Sequence, residues 1–329
     1  MTFLTARADV LQQLVHEFAF RQRKNMKETI GVIGLGIMGG AMADALLEAG
    51  HPVVGYDVRS AARARLAKAG GKPLASAEAV AKQADIIITA LATVSSFGDV
   101  MERIARAARK TPLQRIVIET STLPLEDKLR ARKLLAKSGI ALLDCPISGT
   151  AVRMKQGAWT IFVSGAAAAA KRVQPVLAVF TRNAPYVGAF GNGTKMKFIA
   201  NHFVAILNVA VGESLTFARA MGLDARIVWE QFAENPVIGT GVYKLRGRQM
   251  VERAYQPATM KIEVWQKDMQ VIGDMARAVG APTPLFSACA PIYNAAIAHG
   301  LAEHDTASVG EVLGEMAGIP MKAKRGPAR

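Results

Sequence analysis

Cysteine is nearly absent: Cys145 and Cys289 are the only two in 329 residues. That excludes a disulfide framework and fits a reducing compartment, with the cytoplasm as the expected location. Aromatic residues are also scarce, at 6%, and none are interleaved with basic clusters as in a nucleic-acid surface. Long apolar runs are missing: no stretch reaches the roughly 18 uninterrupted apolar residues of a membrane span. The most apolar segment, residues 198–211, carries Asn201, His202 and Asn208 and is expected to stay in water. No His, Cys and carboxylate cluster has ligand spacing, so no metal is expected.

What is present in quantity is apolar and basic. A chain that is 51% hydrophobic can bury a sizeable core, and its length suggests two domains. The formal charge is +15, but the basic residues are scattered along helical stretches such as DKLRARKLLAKSG, residues 127–139. Only the tail KAKRGPAR, residues 322–329, is dense. Scattered charge is a solvated surface, so nucleic acid is an unlikely partner and a small anionic ligand fits better. Residues 1–27 read as an amphipathic extension ending in a basic cluster, with Met26 just ahead of the first strand.

From residue 29 the pattern repeats as apolar strand, break, helix. Strands are expected at 29–35, 53–57, 85–91, 116–119 and 140–144, with the sheet continuing through 158–191. Continuous apolar runs such as DIIITAL suit parallel strands buried on both faces and joined by crossover helices, which makes a doubly wound α/β sheet the expected fold. After Gly193 no strand signal remains. Helices are expected at 194–221, 225–234, 260–279 and 285–299, interrupted at MGLD, NPVIGTG and GAPTP. The expected organisation is therefore an extension (1–27), a sheet domain (28–192), an all-helical second domain (193–318) and a basic tail (319–329).

The segment TIGVIGLGIMGGAMADALLEAGHPVVGYDV, residues 29–58, gives the sheet a task. Gly34, Gly36 and Gly39 follow a strand, open a helix, and precede a second strand that ends on Asp57. A lone GxGxxG is weak; in this context it reads as a Rossmann-type dinucleotide site. Gly34 allows the tight turn, Gly36 lets a pyrophosphate approach the backbone, and Gly39 permits helix-to-sheet contact. The amides that open the helix, around Ile37 and Met38, meet the negative charge. Asp57 suits the ribose hydroxyls of NAD and repels a 2'-phosphate, so NAD is the preferred cofactor; Arg59 and Ser60 keep NADP open.

Four ordered segments, GLGIMGGAMADALLEAGH (34–51), DCPISGTAVRMKQG (144–157), GNGTKMKFIAN (191–201) and WQKDMQVI (265–272), resemble the signatures of the β-hydroxyacid dehydrogenases. The resemblance runs from Lys27 to about Gly318. It implies that Lys197 is the catalytic acid or base and that Asn201 helps hold the substrate. It also implies that Ser148, Gly149 and Thr150 meet the substrate carboxylate, that Leu91, Thr122 and Lys267 lie on the cofactor side, with Asp268 partnering Lys267, and that the chain forms a homodimer or homotetramer. Read without it, Lys197, Asn201 and Asn208 share one face of an apolar helix, where a lysine snorkelling to solvent and asparagines capping backbone are equally good accounts. The pair Lys267 and Asp268 likewise reads as an exposed ion pair. Cys145 reads as a small packed residue rather than a nucleophile. His202 points about 100° away from Asn201 around the helix, so it is a poor general base.

Departures from the family pattern gather around the substrate loop: Thr150 replaces a second glycine, Met154 an alanine, Leu91-Ala92 a Leu-Pro, and STLP is one residue short. The expected activity is hydride transfer between NAD(P) and a small 3-hydroxy carboxylate or its carbonyl form. The alternatives are an imine or carbonyl reductase on the same scaffold, from which the retained Lys197 points away, and a non-catalytic NAD(P)-binding protein.

Overall fold

The computed structural model describes residues 27–108, 115–149, 154 and 157–321. Thr150, residues 1–26 of the extension and residues 322–329 of the tail lie outside the described residues. The chain divides into two compact units. The first holds the chain up to Ser121, Glu126–Cys145 and Val163–Gly191; the second holds Thr122–Leu125, Pro146–Phe162 and the chain from Asn192 on.

The first unit is built on six parallel strands in the order β3-β2-β1-β4-β5-β6, the strand order of a dinucleotide-binding Rossmann sheet. They are β1 (Ile30–Ile33), β2 (Val53–Tyr56), β3 (Lys72–Pro73), β4 (Ile86–Thr89), β5 (Ile116–Glu119) and β6 (Ala141–Asp144). Register is continuous across the centre, with Val32 opposite Ile88 and Ile88 opposite Ile118. Every residue of β1, β4 and β5 is buried, as strands covered on both faces require. The crossovers are α1 (Ile37–Glu48), α2 (Ser60–Lys68), α3 (Ala77–Gln83), α4 (Val94–Ala108) and α5 (Leu125–Ala136). Ser76 caps α3 by accepting from the Ala79 amide at 3.2 Å, which satisfies one of the orphan donors of the first turn.

The sheet does not continue through 158–191. Instead β7 (Ile147–Ser148) and β8 (Thr160–Ile161) form a separate antiparallel pair. Beyond it only single bridges occur, Asp144 with Ser164 and Val163 with Tyr186, and α6 (Ala167–Leu177) lies between them. The reason is local: Ser164 exchanges both backbone hydrogen bonds with Asp144 at 2.9 Å, and Gly165, at φ 132°, then turns the chain away before a ladder forms. The edge strand β3, two exposed residues long, has no apolar pattern from which to be read.

The second unit gathers around α7 (Asn192–Ala220), against which α8 (Ala225–Phe232), α10 (Ile262–Ala278), α11 (Pro284–Ala298) and α12 (Val309–Met316) pack. A π-helical turn, Tyr243–Gly247, leads into α9 (Arg248–Glu252). Phe198, Ala205, Leu215, Trp265, Tyr293 and Val312 are part of one buried core. Gly212 lets α12 approach: a Cβ there would meet Leu313 Cδ1 at 2.7 Å. Among the described residues α7 is the one helix with the length and hydropathy of a membrane span. Its place at the centre of this core accounts for that composition.

Candidate active site

The glycine loop is shaped by its own backbone. Gly34 sits at φ 89°, a region that glycine enters without steric cost, and a Cβ there would lie 2.2 Å from the Ala90 carbonyl oxygen. A Cβ on Gly39 would lie 1.8 Å from the Gly34 oxygen, so α1 packs at a distance only glycine permits. Gly36 differs. It caps α1 with no side-chain hydrogen bond, and a Cβ there would meet only the Arg59 guanidinium, at 3.5 Å. The loop is closed towards the sheet and open where the helix begins, with Ile37 exposed and Met38 half-buried beside it. The first-turn amides have no intrahelical partner, so the residues present fit a pyrophosphate at this helix start.

Asp57 directly follows β2 and is 7% exposed. Its Oδ2 accepts from the Leu35 amide at 2.8 Å and its Oδ1 from the Arg59 amide at 2.9 Å. The Arg59 guanidinium folds back on the same carboxylate, at 3.2 Å from Nε to Oδ1. Burial pushes this carboxyl upward, but the bonds from Arg59 and Leu35 outweigh it and hold the group below its ordinary range. Arg63 anchors the turn by donating to the Asp57 carbonyl. Where β4 and β5 end, the Leu91 amide donates to Ser121 Oγ at 2.8 Å.

In the second unit the first turns of α7 present Lys197 and Asn201, one turn apart and both buried. Asn201 Nδ2 donates to Asp268 Oδ2 at 2.8 Å, and Asp268 Oδ1 pairs with Lys267 Nζ at 3.2 Å. Lys267 also donates to the Thr122 carbonyl at 2.6 Å, so Lys197, Asn201, Asp268, Lys267 and Thr122 form one constellation. Burial pulls the Lys197 ammonium down to about 8; Asp268 opposes the shift and Lys267 reinforces it. β7, which carries Ser148, packs on α7. Gly149 follows at φ 135°, where a Cβ would lie 2.5 Å from Trp159 Cδ1. Met154 is buried.

Other chemistry-bearing residues are engaged elsewhere. Burial pushes the Cys145 thiol far above its ordinary range, which removes it as a nucleophile. His202 stacks on Phe286 with ring centroids 5.2 Å apart. Asn208 donates to the Tyr293 hydroxyl at 3.2 Å and so serves the core. A groove of about 530 Å³ between α10 and α11, lined by Met269, Phe286 and Ala290 among others, includes none of the candidate residues. Among the described residues no His, Cys, Asp and Glu group has the makings of a metal site. Lys128, in a stretch that reads as a solvated basic helix, is fully buried against Asp144.

Residues 29–188 match the family described as the NAD binding domain of 6-phosphogluconate dehydrogenase, and residues 191–313 that described as NAD-binding of NADP-dependent 3-hydroxyisobutyrate dehydrogenase. The chain is 29% identical to 2-hydroxy-3-oxopropionate reductase of Escherichia coli over 88% of this chain and 98% of that protein. It is 28% identical to human mitochondrial 3-hydroxyisobutyrate dehydrogenase over 88% of each. The solved structure of Mycobacterium tuberculosis 3-hydroxyisobutyrate dehydrogenase with L-serine superposes with a TM-score of 0.77 at 27% identity, covering 88% of this chain and 99% of that one. With the six-stranded nucleotide-binding sheet followed by the helical unit, these matches make the chain a member of the β-hydroxyacid dehydrogenase family of nicotinamide-dependent oxidoreductases.

Proposed function

We propose that the protein transfers a hydride between NAD(P) and a small 3-hydroxy carboxylic acid, or its semialdehyde or keto form, with Lys197 as the general acid and base. The observation that carries this reading is the buried Lys197, held one helical turn from Asn201 with its ammonium pulled down to about 8. A lysine in that state is a competent base near neutral pH. In the oxidising direction its neutral amine takes the hydroxyl proton at Nζ; in the reducing direction its ammonium returns a proton to the carbonyl oxygen. Asn201, fixed by Asp268, holds the substrate. Ser148, Gly149 and Thr150 receive its carboxylate, a role that suits an amide-rich turn.

Gly34, Gly36, Ile37, Met38 and Gly39 hold the cofactor's pyrophosphate, Asp57 and Arg59 its ribose, and Leu91, Thr122 and Lys267 its nicotinamide side. When bound, the nicotinamide supplies the hydride acceptor or donor. NAD is preferred because the Asp57 carboxylate stands where a 2'-phosphate is repelled, and release of Arg59 from Asp57 gives NADP its route in. The relatives named for 3-hydroxyisobutyrate and 2-hydroxy-3-oxopropionate support this substrate class. The buried Met154, where the family pattern has an alanine, makes the substrate preference this chain's own. The exposed apolar residues Ile199, Phe203 and Phe217 on α7 support a homodimer or homotetramer, and scarce cysteine supports a cytoplasmic location.

The test is nicotinamide reduction across a panel of 3-hydroxy acids with NAD and with NADP, using the parent protein and Lys197→Ala. Turnover that collapses in the variant while cofactor still binds supports the reading. Undiminished activity in Lys197→Ala refutes the lysine, and cofactor binding with no turnover of any panel member favours the non-catalytic alternative.

A further inference from the structure

The first unit buries a cation that the proposed chemistry does not use. Lys128 of α5 is 0% exposed. Its Nζ donates to the Ser121 carbonyl at 2.7 Å and to Asp144 Oδ1 at 2.9 Å, with Glu119 Oε1 4.0 Å away. Glu119, also 0% exposed, accepts from the Ser121 amide at 2.7 Å and from the Thr89 hydroxyl. Ser121 Oγ in turn accepts from the Leu91 amide. One lysine and two carboxylates thus join the carboxyl ends of β4, β5 and β6, and Ser121 is gripped through its carbonyl, its amide and its hydroxyl.

Such an assembly is a poor way to gain stability alone. Taking three ionisable groups out of water costs several kcal/mol per ion, and apolar packing of the same volume is commonly as stable. Burial has its effect on Glu119, whose carboxyl is pushed above its ordinary range although Lys128 pulls it down. What the assembly does provide is position. In an open α/β sheet ligands bind outside the carboxyl ends of the strands, and Leu91 and Ser121 each stand two residues beyond one of those ends, after Thr89 of β4 and Glu119 of β5.

We propose that Lys128, with Glu119, is a positioning device for the nicotinamide cofactor: it fixes Ser121, and through the Ser121 hydroxyl the amide of Leu91, so that the loops after β4 and β5 are preorganised to receive it. This rests on the reading of the protein as an NAD(P)-dependent enzyme. Preorganised loops lower the ordering cost of binding, so the device acts on cofactor affinity and leaves the proton chemistry of Lys197 untouched. A merely structural role lowers the folded fraction, and with it kcat, at constant KM.

The experiment is a fluorescence titration of NADH and NADPH into the parent protein, Lys128→Met, Ser121→Ala and the control Lys133→Met on the exposed side of α5, paired with steady-state kinetics. The expected result is an increase in cofactor Kd and KM of about tenfold in Lys128→Met and Ser121→Ala, with hydroxy-acid KM and pH profile unchanged and Lys133→Met like the parent. If Lys128→Met does not fold, Ser121→Ala, which keeps Lys128, Glu119 and Asp144 in place, decides the matter. Parent-like cofactor affinity in folded Lys128→Met or in Ser121→Ala overturns the positioning role. Failure of the parent to bind either cofactor overturns the enzyme reading and this inference with it.

Discussion

Asn201 turns its amide nitrogen to Asp268, 2.8 Å away, and that carboxylate is the counterweight in the electrostatics of Lys197. Asp268 favours the Lys197 ammonium and Lys267 disfavours it. Removing each therefore moves the titration in opposite directions. In Asp268→Asn the rising limb of kcat/KM for oxidation shifts to lower pH than in the parent, where it is expected near 8; in Lys267→Met it shifts to higher pH. Profiles recorded in both directions of reaction check this, and two shifts of the same sign would sink the electrostatic account.

Lys197→Met should trade activity for stability. A lysine whose folded value lies near 8 against an ordinary 10.5 leaves the native state with fewer bound protons than the unfolded chain between those values. Stability then rises with pH across that window, and below it the full penalty of the buried charge is felt. The variant should lose roughly 10²- to 10⁴-fold in turnover, melt higher than the parent at pH 7, and lose that advantage at alkaline pH. Melting curves at both pH values provide the check.

Two glycines of one loop should behave differently. Gly39→Ala drives a Cβ to 1.8 Å from the Gly34 oxygen, and such overpacking costs about 1–3 kcal/mol or more. Gly36→Ala meets only the end of a flexible arginine, so it should melt like the parent yet bind NADH poorly, because the added methyl stands where the pyrophosphate comes closest. A parent-like Kd in Gly36→Ala would place the cofactor elsewhere.

The carboxylate of Asp57 sets cofactor choice in this account. Asp57→Asn keeps an acceptor for the Leu35 amide and removes the charge that repels a 2'-phosphate. It should move the ratio of kcat/KM for NADP over NAD upward by roughly tenfold or more, while Arg59→Ala moves it down. Paired kinetics with both cofactors measure the ratio directly.

Where residues follow a single period, the sequence reads cleanly. DIIITAL and RIVIE form strands buried on both faces, as their continuous apolar runs lead one to expect, and Lys197 and Asn201 share one face of a long apolar helix, where burial of both rather than snorkelling of the lysine is what the structure adds. Lys128 was missed because periodicity counts lysine as polar. Yet it stands three and seven residues before Ala131 and Leu135, which line the buried face of α5, and that spacing was the available clue. The hairpin β7–β8 and the edge strand β3 are two-residue pairings, too short for any alternation to register. The helix α12, VGEVLGEM, hides behind its two glycines, of which Gly310 serves helix contact rather than chain breaking: its Cα lies 3.5 Å from the Cβ position of Gly212.

The second unit takes Thr122–Leu125 and Pro146–Phe162 from the first half of the chain, and with them Ser148 and Trp159. A chimera that joins two family members by one crossover at residue 191 therefore inherits the chain from Asn192 on from one parent and the segments that carry Ser148 and Trp159 from the other. Transplanting a specificity along this lineage requires three exchanged segments, so new substrates are reached more readily by point substitution than by shuffling halves.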